Sequence, residues 1–184
     1  WTYVNNSIST EMTELTSKVI TPATCTKNGV GHNVCSKCSY YTEYVIYASG
    51  HSFGSNNICT TCKAKRTYVT EAVFDSALFS NDPNYPYTFE NGYIKVPESP
   101  RYSAPTLTVN ATQNMRIEIN ISGSFGMNDK MTFAVNGYIK NTITYSGATV
   151  TIELTKGDAL EIIFNRNSYD NSGYANLSMT IYYE

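Results

Sequence analysis

The sequence predicts a mostly β protein: an antiparallel β-sandwich, jelly-roll or immunoglobulin-like, preceded by a small zinc-ribbon-like unit. Three observations carry that expectation. All five cysteines of the 184 residues fall between Cys25 and Cys62, the apolar residues after them recur at every second position, and Gly-containing turn signals separate the alternating runs. The change of pattern near Lys65-Arg66-Thr67 sets the organisation. Residues 1–20 form an arm or short helix, 21–66 a cysteine-rich zinc-binding unit, and 67–184 the sandwich.

Met12, Leu15 and Val19 stand at helical spacing between Ser9 and Val19, which fits a short helix or an extended arm. The chain opens at Trp1 without an initiator Met, as expected of a processed piece of a longer exported protein.

Two Cys-x-x-Cys steps follow, Cys35-Ser-Lys-Cys38 and Cys59-Thr-Thr-Cys62, with twenty residues between them. A gap of two residues lets a tight turn aim both sulfurs at one point, so four thiolates can surround a tetrahedral zinc. In such a ribbon Cys35, Cys38, Cys59 and Cys62 are the ligands, and the stretch from Tyr40 to Tyr47 is a strand between the knuckles. An odd number of cysteines excludes a complete disulfide framework, while two disulfides and one thiol stay open for an exported protein.

The run Pro22-Ala-Thr-Cys25-Thr-Lys-Asn-Gly29, then Cys35-Ser-Lys-Cys38, Gly50-His51-Ser-Phe53 and Cys59-Thr-Thr-Cys62, resembles small cysteine-rich repeats of extracellular proteins from gut Firmicutes. The match covers positions 22–64. The resemblance implies a secreted or cell-surface protein and picks out a second ligand set, Cys25, Cys35, Cys38 and His51, with Cys59 and Cys62 as spare thiols or a disulfide. Such repeats usually carry Gly after each Cys-x-x-Cys. Ser39 and Lys63 stand there in this chain, which would strain a left-handed residue at each knuckle. A zinc held by four protein ligands has no open position, so either set is structural and supplies folding free energy to a segment poor in apolar mass. His32 has no supporting feature and reads as a surface residue.

Beyond the cysteines, Met115, Ile117, Ile119 and Ile121 alternate with Arg116, Glu118, Asn120 and Ser122. The same period runs through Val150-x-Ile152-x-Leu154, Leu160-x-Ile162-x-Phe164 and Leu177-x-Met179-x-Ile181-x-Tyr183. This is the pattern of strands with one face in a core and the other wet. Asn91-Gly92 and Asn136-Gly137 suit type I′ hairpins, Lys156-Gly157-Asp158 a short turn, and Ser122–Gly126 and Asn171–Gly173 longer loops. Pro97, Pro100 and Pro105 break the chain after a strand at Tyr93–Val96 and point to a crossing between sheets. Seven to nine strands without a convincing helix give the sandwich.

Composition excludes several functions. The net charge is -2 and 15% of residues are charged, so no broad positive field exists to hold nucleic acid. No apolar run approaches membrane-spanning length. Both histidines and all cysteines precede the sandwich, which removes a Ser-His-Asp or Cys-His nucleophile from it. Its carboxylates, Glu90, Glu98, Glu118, Asp129, Glu153, Asp158, Glu161 and Asp170, are scattered among turns and outward faces, with no pair set across a cleft. The chain therefore reads as a non-catalytic module.

Binding is the remaining chemistry. Tyrosine faces with amide and carboxylate partners suit sugars, and loops on a rigid sandwich present both. Asp82 beside Asn84-Tyr85-Pro86-Tyr87 is one such loop; Arg166, Asn167, Tyr169, Asp170, Asn171 and Tyr174 make the second. The sandwich loosely resembles accessory and carbohydrate-binding modules of secreted Firmicutes proteins, which implies a polysaccharide or glycoprotein glycan as partner, alongside neighbouring domains of a larger chain. The alternatives are a spacer or adhesin segment without glycan binding, and a glycoside-active accessory domain. Asp170 and Asn171 also offer two oxygens to a calcium ion, and Lys130 and Lys140 are the lysines available for an internal isopeptide bond.

Overall fold

The computed structural model describes residues 15–167 and 173–183. The chain divides into two compact units, Trp1–Lys63 and Ala64–Glu184. Met12 and the rest of the arm before position 15 lie outside the described residues, as do Tyr169, Asp170 and Asn171. From Leu15 the arm is extended, so the helical option does not apply to the described part of it.

The described residues of the first unit form a three-stranded antiparallel sheet in the order β1 (Leu15–Thr21), β2 (Gly29–Cys35) and β3 (Tyr41–Ile46). Its third strand is the one expected between the knuckles. Gly29 is required by close approach, because a Cβ there would collide with the Thr21 carbonyl, and the Tyr44 ring lies directly on Gly31. Gly29 and Gly31 are the only buried residues of these strands. His32 lies on the sheet surface, stacked at 4.3 Å on Tyr41 and 3.5 Å from the Glu43 carboxylate.

Among its described residues the second unit holds eleven strands and a one-turn helix. They are β4 (Lys65–Tyr68), α1 (Glu71–Phe74), β5 (Phe79–Asn81), β6 (Thr88–Glu90), β7 (Tyr93–Lys95), β8 (Thr106–Asn110), β9 (Met115–Ser124), β10 (Lys130–Val135), β11 (Tyr138–Ile143), β12 (Thr149–Leu154), β13 (Ala159–Asn165) and β14 (Tyr174–Tyr183). One sheet has the order β11-β10-β13-β8-β5 and the other β12-β9-β14-β7-β6, with β4 also pairing β14. Every pairing is antiparallel. The excess over seven to nine strands comes from β4 to β6, which at three or four residues are too short to display a period.

Alternation translates directly into burial. Met115, Ile117, Ile119 and Ile121 of β9, with Ile152 and Leu154 of β12 and Leu177, Met179 and Ile181 of β14, pack against Leu107, Met131, Phe133, Leu160, Ile162 and Phe164 of the opposite sheet. Both Asn-Gly turns have the positive φ pair of a type I′ hairpin, 53° and 83° at Asn91-Gly92, 52° and 79° at Asn136-Gly137. The proline-bracketed segment carries the chain from β7 in one sheet to β8 in the other, as its three prolines predict. The sandwich loops that position candidate ligand groups all leave this rigid double layer.

Candidate functional site

In the first unit, local hydrogen bonds bring four metal-ligating side chains together. The Thr24 hydroxyl accepts from the Lys27 N–H at 2.9 Å and forms a tight turn around Cys25. That turn is tied to the chain leaving β3, where the Ser49 N–H donates to the Thr24 carbonyl at 3.2 Å and the Ala48 N–H to the Asn28 side chain at 2.8 Å. His51 follows immediately. A small hairpin then doubles back, pairing Phe53 with Cys59 and donating from the Thr60 N–H to the Ser52 carbonyl at 2.9 Å, which sets the second Cys-x-x-Cys step beside His51.

Cys25, His51, Cys59 and Cys62 result, with all ligand atoms within 4.8 Å of one another. The Sγ atoms of Cys25 and Cys59 are 3.9 Å apart, and Cys62 Sγ is 3.3 Å from His51 Nδ1. With Zn–S bonds of ~2.3 Å and a Zn–N bond of ~2.0 Å, the edges of a tetrahedral site are about 3.8 Å between sulfurs and about 3.5 Å between sulfur and nitrogen. Those two separations are close to the ones zinc needs, and the Cys25 and Cys59 sulfurs are too far apart for a disulfide. The Cys62 backbone N–H, aided by the His51 side chain, pulls the Cys59 thiol down to about 5, toward the thiolate a metal binds. Burial pushes the Cys25 thiol up. Lys63 closes the knuckle with φ 65° and donates its N–H to the Cys59 carbonyl at 3.0 Å, so a non-glycine residue does occupy the left-handed position there.

This set differs from both expected ligand lists. Cys59 and Cys62 are joined by Cys25 and His51, while Cys35 and Cys38 are not among them. The reason is the length of β2. Cys25 precedes this seven-residue strand and Cys35 ends it, and seven strand residues span ~20 Å, so the first Cys-x-x-Cys step sits in the β2–β3 turn at the far end of the hairpin. Sequence spacing alone cannot distinguish the two knuckles, but the resemblance to cysteine-rich repeats did single out Cys25 and His51.

In the sandwich, Tyr87 is 2% exposed and its hydroxyl lies 3.1 Å from the carbonyls of both Pro105 and Ile162. It is a core residue, so it offers no face to a ligand; burial pushes its phenol well above the ordinary range. Asp82 builds its own loop, accepting from the Asn84 N–H at 2.8 Å, and Tyr85 is half-buried beside it. Tyr174 is exposed at the start of β14. Arg166 is 3% exposed and stands 5.5 Å over the Phe164 ring. Both predicted loops are tied to the segment Tyr102–Thr106: the Asp82 N–H donates to the Thr106 carbonyl and the Arg166 N–H to the Ser103 carbonyl, each at 3.0 Å.

Sequence reasoning missed two residues here. Tyr102 is 73% exposed and has φ 66°, a left-handed conformation that costs a bulky residue of the order of 1 kcal/mol or more. Its N–H donates to the Arg166 carbonyl at 2.7 Å, and the Arg101 guanidinium lies 4.3 Å over its ring while Arg101 Nε donates to the Asn167 carbonyl at 3.1 Å. Asp129, buried, accepts from the Asn167 N–H at 2.7 Å and the Gly126 N–H at 3.2 Å, and a Cβ on Gly173 would strike its carboxylate. Beside these anchored loops opens a cleft of about 500 Å³ lined by Glu98, Ser99, Pro100 and Arg166.

No family model matches the chain and no curated protein matches it. Among solved structures, the secreted serine protease VesC from Vibrio cholerae is similar at 12% identity and a TM-score of 0.46, over 83% of this chain and 33% of that one. A family two carbohydrate esterase from Cellvibrio japonicus is similar at 12% identity and a TM-score of 0.40, over 64% of this chain and 33% of that one. A family 35 carbohydrate binding module from Clostridium thermocellum is similar at 13% identity and a TM-score of 0.40, over 65% of this chain and 99% of that module. The chain thus spans a third of the first two proteins, and at this distance no residue inherits a role from any of the three. Among the described residues no helix is long and apolar enough to cross a membrane.

Proposed function

We propose that the chain is a non-catalytic module of an exported protein that binds carbohydrate through the sandwich, with Tyr102 as the stacking platform beside the Glu98–Arg166 cleft. The observation that carries this reading is the strained, exposed Tyr102, held by its backbone to Arg166 and under its ring by Arg101. An aromatic face fixed in advance loses little entropy when a pyranose stacks on it. The cleft adds the exposed Glu98 carboxylate, an acceptor that neighbouring sugar hydroxyls can answer. Titration against panels of plant and mucin polysaccharides tests it. Tyr102→Ala should weaken binding about tenfold, or ~1.4 kcal/mol, while Tyr145→Ala, at another exposed tyrosine, leaves it unchanged. Silence across the whole panel would leave a spacer instead.

The first unit, in the same reading, is held by one zinc on Cys25, His51 Nδ1, Cys59 and Cys62. Four protein ligands close the coordination shell, so the ion holds the fold together and activates no water. Elemental analysis should show Cys25→Ser to lose one zinc per chain.

A further inference from the structure

The chain contains the steps Asn28-Gly29, Asn91-Gly92 and Asn136-Gly137, in each of which the nitrogen after an asparagine is unshielded by a side chain. The structure sets them apart. At the first, the Asn28 side-chain oxygen accepts from the Ala48 N–H at 2.8 Å, and Gly29 is buried so tightly that a Cβ would strike the Thr21 carbonyl and the Ala23 nitrogen. At the third, the Asn136 carboxamide is held at both ends, donating to the Asp158 carboxylate at 2.8 Å and accepting from the Ala159 N–H at 2.9 Å. Neither restraint exists at the second. Asn91 and Gly92 are exposed, a Cβ on Gly92 would meet nothing within 4 Å, and the Asn91 carboxamide has no hydrogen-bond partner among the described residues. Its turn joins β6 to β7, strands of three residues each at the edge of their sheet, where β7 meets β14 at Asn176 and Leu177. A hairpin of that length opens at little cost.

We propose that Asn91-Gly92 is a site of self-modification, at which the chain converts Asn91 to aspartyl and isoaspartyl residues without an enzyme while the Asn28 and Asn136 steps persist. The Gly92 nitrogen, its proton taken by hydroxide, bonds to Asn91 Cγ; the Cγ–Nδ2 bond breaks, ammonia leaves, and a succinimide closes. Water then adds to one of the two ring carbonyls. Breaking the new N–Cγ bond restores the backbone with an aspartate at the position, and breaking the original peptide C–N bond routes the backbone through the side chain as isoaspartate. The net change is one water consumed and one ammonia released, with no oxidation or reduction. Either product sets a second carboxylate beside Glu90, whose own is paired with the Lys95 ammonium. Isoaspartate also adds a methylene to the turn, which a two-residue type I′ loop with φ values of 53° and 83° does not absorb. The β6–β7 hairpin therefore loosens as the protein ages. This inference is independent of the glycan reading.

The test is incubation of the whole folded chain at mildly alkaline pH, followed by peptide mapping with mass spectrometry, isoaspartate labelling and measurement of released ammonia. The peptide holding Asn91 should accumulate both products first, about tenfold faster than those holding Asn28 and Asn136, whose side-chain hydrogen bonds must break before attack. The rate should rise with hydroxide concentration. In urea, where those bonds are gone, the three rates should converge. Asn91→Gly keeps a residue that accepts positive φ in the turn and should abolish the early ammonia release. A folded chain in which Asn28 or Asn136 converts as fast as Asn91 overturns the proposal. So does an Asn91 that stays intact in the folded chain while converting in urea, or ammonia release unchanged by Asn91→Gly.

Discussion

In the sandwich, aliphatic and aromatic side chains from two facing sheets fill one continuous core, with Phe133, Phe164, Ile117, Ile119 and Leu177 wholly buried. Among its described residues, the first unit buries nothing of its strands but two glycines, and the apolar residues it does enclose are Cys25 and Cys59. One unit removes hydrocarbon from water and the other gathers sulfur. Small domains short of apolar mass depend on such cross-links, so the two halves should fail under different insults.

The largest effect expected is from metal removal. Structural zinc contributes about 10–16 kcal/mol of apparent binding free energy in small zinc domains at neutral pH, more than a sheet with so little buried surface can replace. A chelator should abolish amide-exchange protection in β1 to β3 while leaving β9, β13 and β14 protected; equal loss in both units would erase the contrast. Phe133→Ala should do the reverse, lowering the stability of the sandwich by ~3–5 kcal/mol through the cavity it opens, with zinc content unchanged.

Smaller changes sharpen the comparison within each unit. Tyr87→Phe leaves the Pro105 and Ile162 carbonyls without their shared donor, at a cost of about 1–2 kcal/mol in urea unfolding. Lys63→Gly relieves the left-handed position at the second knuckle and should raise the stability of the first unit by ~0.5–1 kcal/mol, offset in part by loss of the 2.9 Å bond from Lys63 Nζ to the Thr60 carbonyl. The smallest effect is a pH dependence at Asp158. The Thr155 N–H, the Asn136 amide and the Thr155 hydroxyl hold its carboxyl below the ordinary value. A depressed carboxyl stabilises fully above its unfolded value of ~3.9 and loses that contribution as pH falls through the folded one. The stability gap between the wild type and Asp158→Asn should therefore narrow on acidification below pH ~4; a gap constant in pH would assign it to shape alone.

The sequence makes the sandwich legible because its long strands repeat with a period of two and its Asn-Gly turns demand positive φ, so Ile117 and Gly137 could be placed without coordinates. The sites were harder. Two Cys-x-x-Cys steps look equivalent in one dimension, and only the span of β2 separates Cys35 from Cys25. Tyr85 and Tyr87 differ by two positions in one motif, yet the hydroxyl of Tyr87 reaches two carbonyls in the core. Tyr102 escaped notice because a left-handed tyrosine has no sequence signature; its conformation is imposed by the pairing of Tyr102 and Ser103 with Arg166.

β14 has two partners along its outer side, β7 at Asn176 and Leu177 and β4 from Thr180 to Tyr183. In the second pairing Lys65 lies opposite Tyr183 and Tyr68 opposite Thr180. Tension applied between Lys65 and Tyr183 would thus load the ladder at one end, rung by rung, and peel β4 away before any sheet slides. In single-molecule pulling the sandwich should yield at low force by unzipping from this end, acting as a compliant link and not as a shear-resistant clamp.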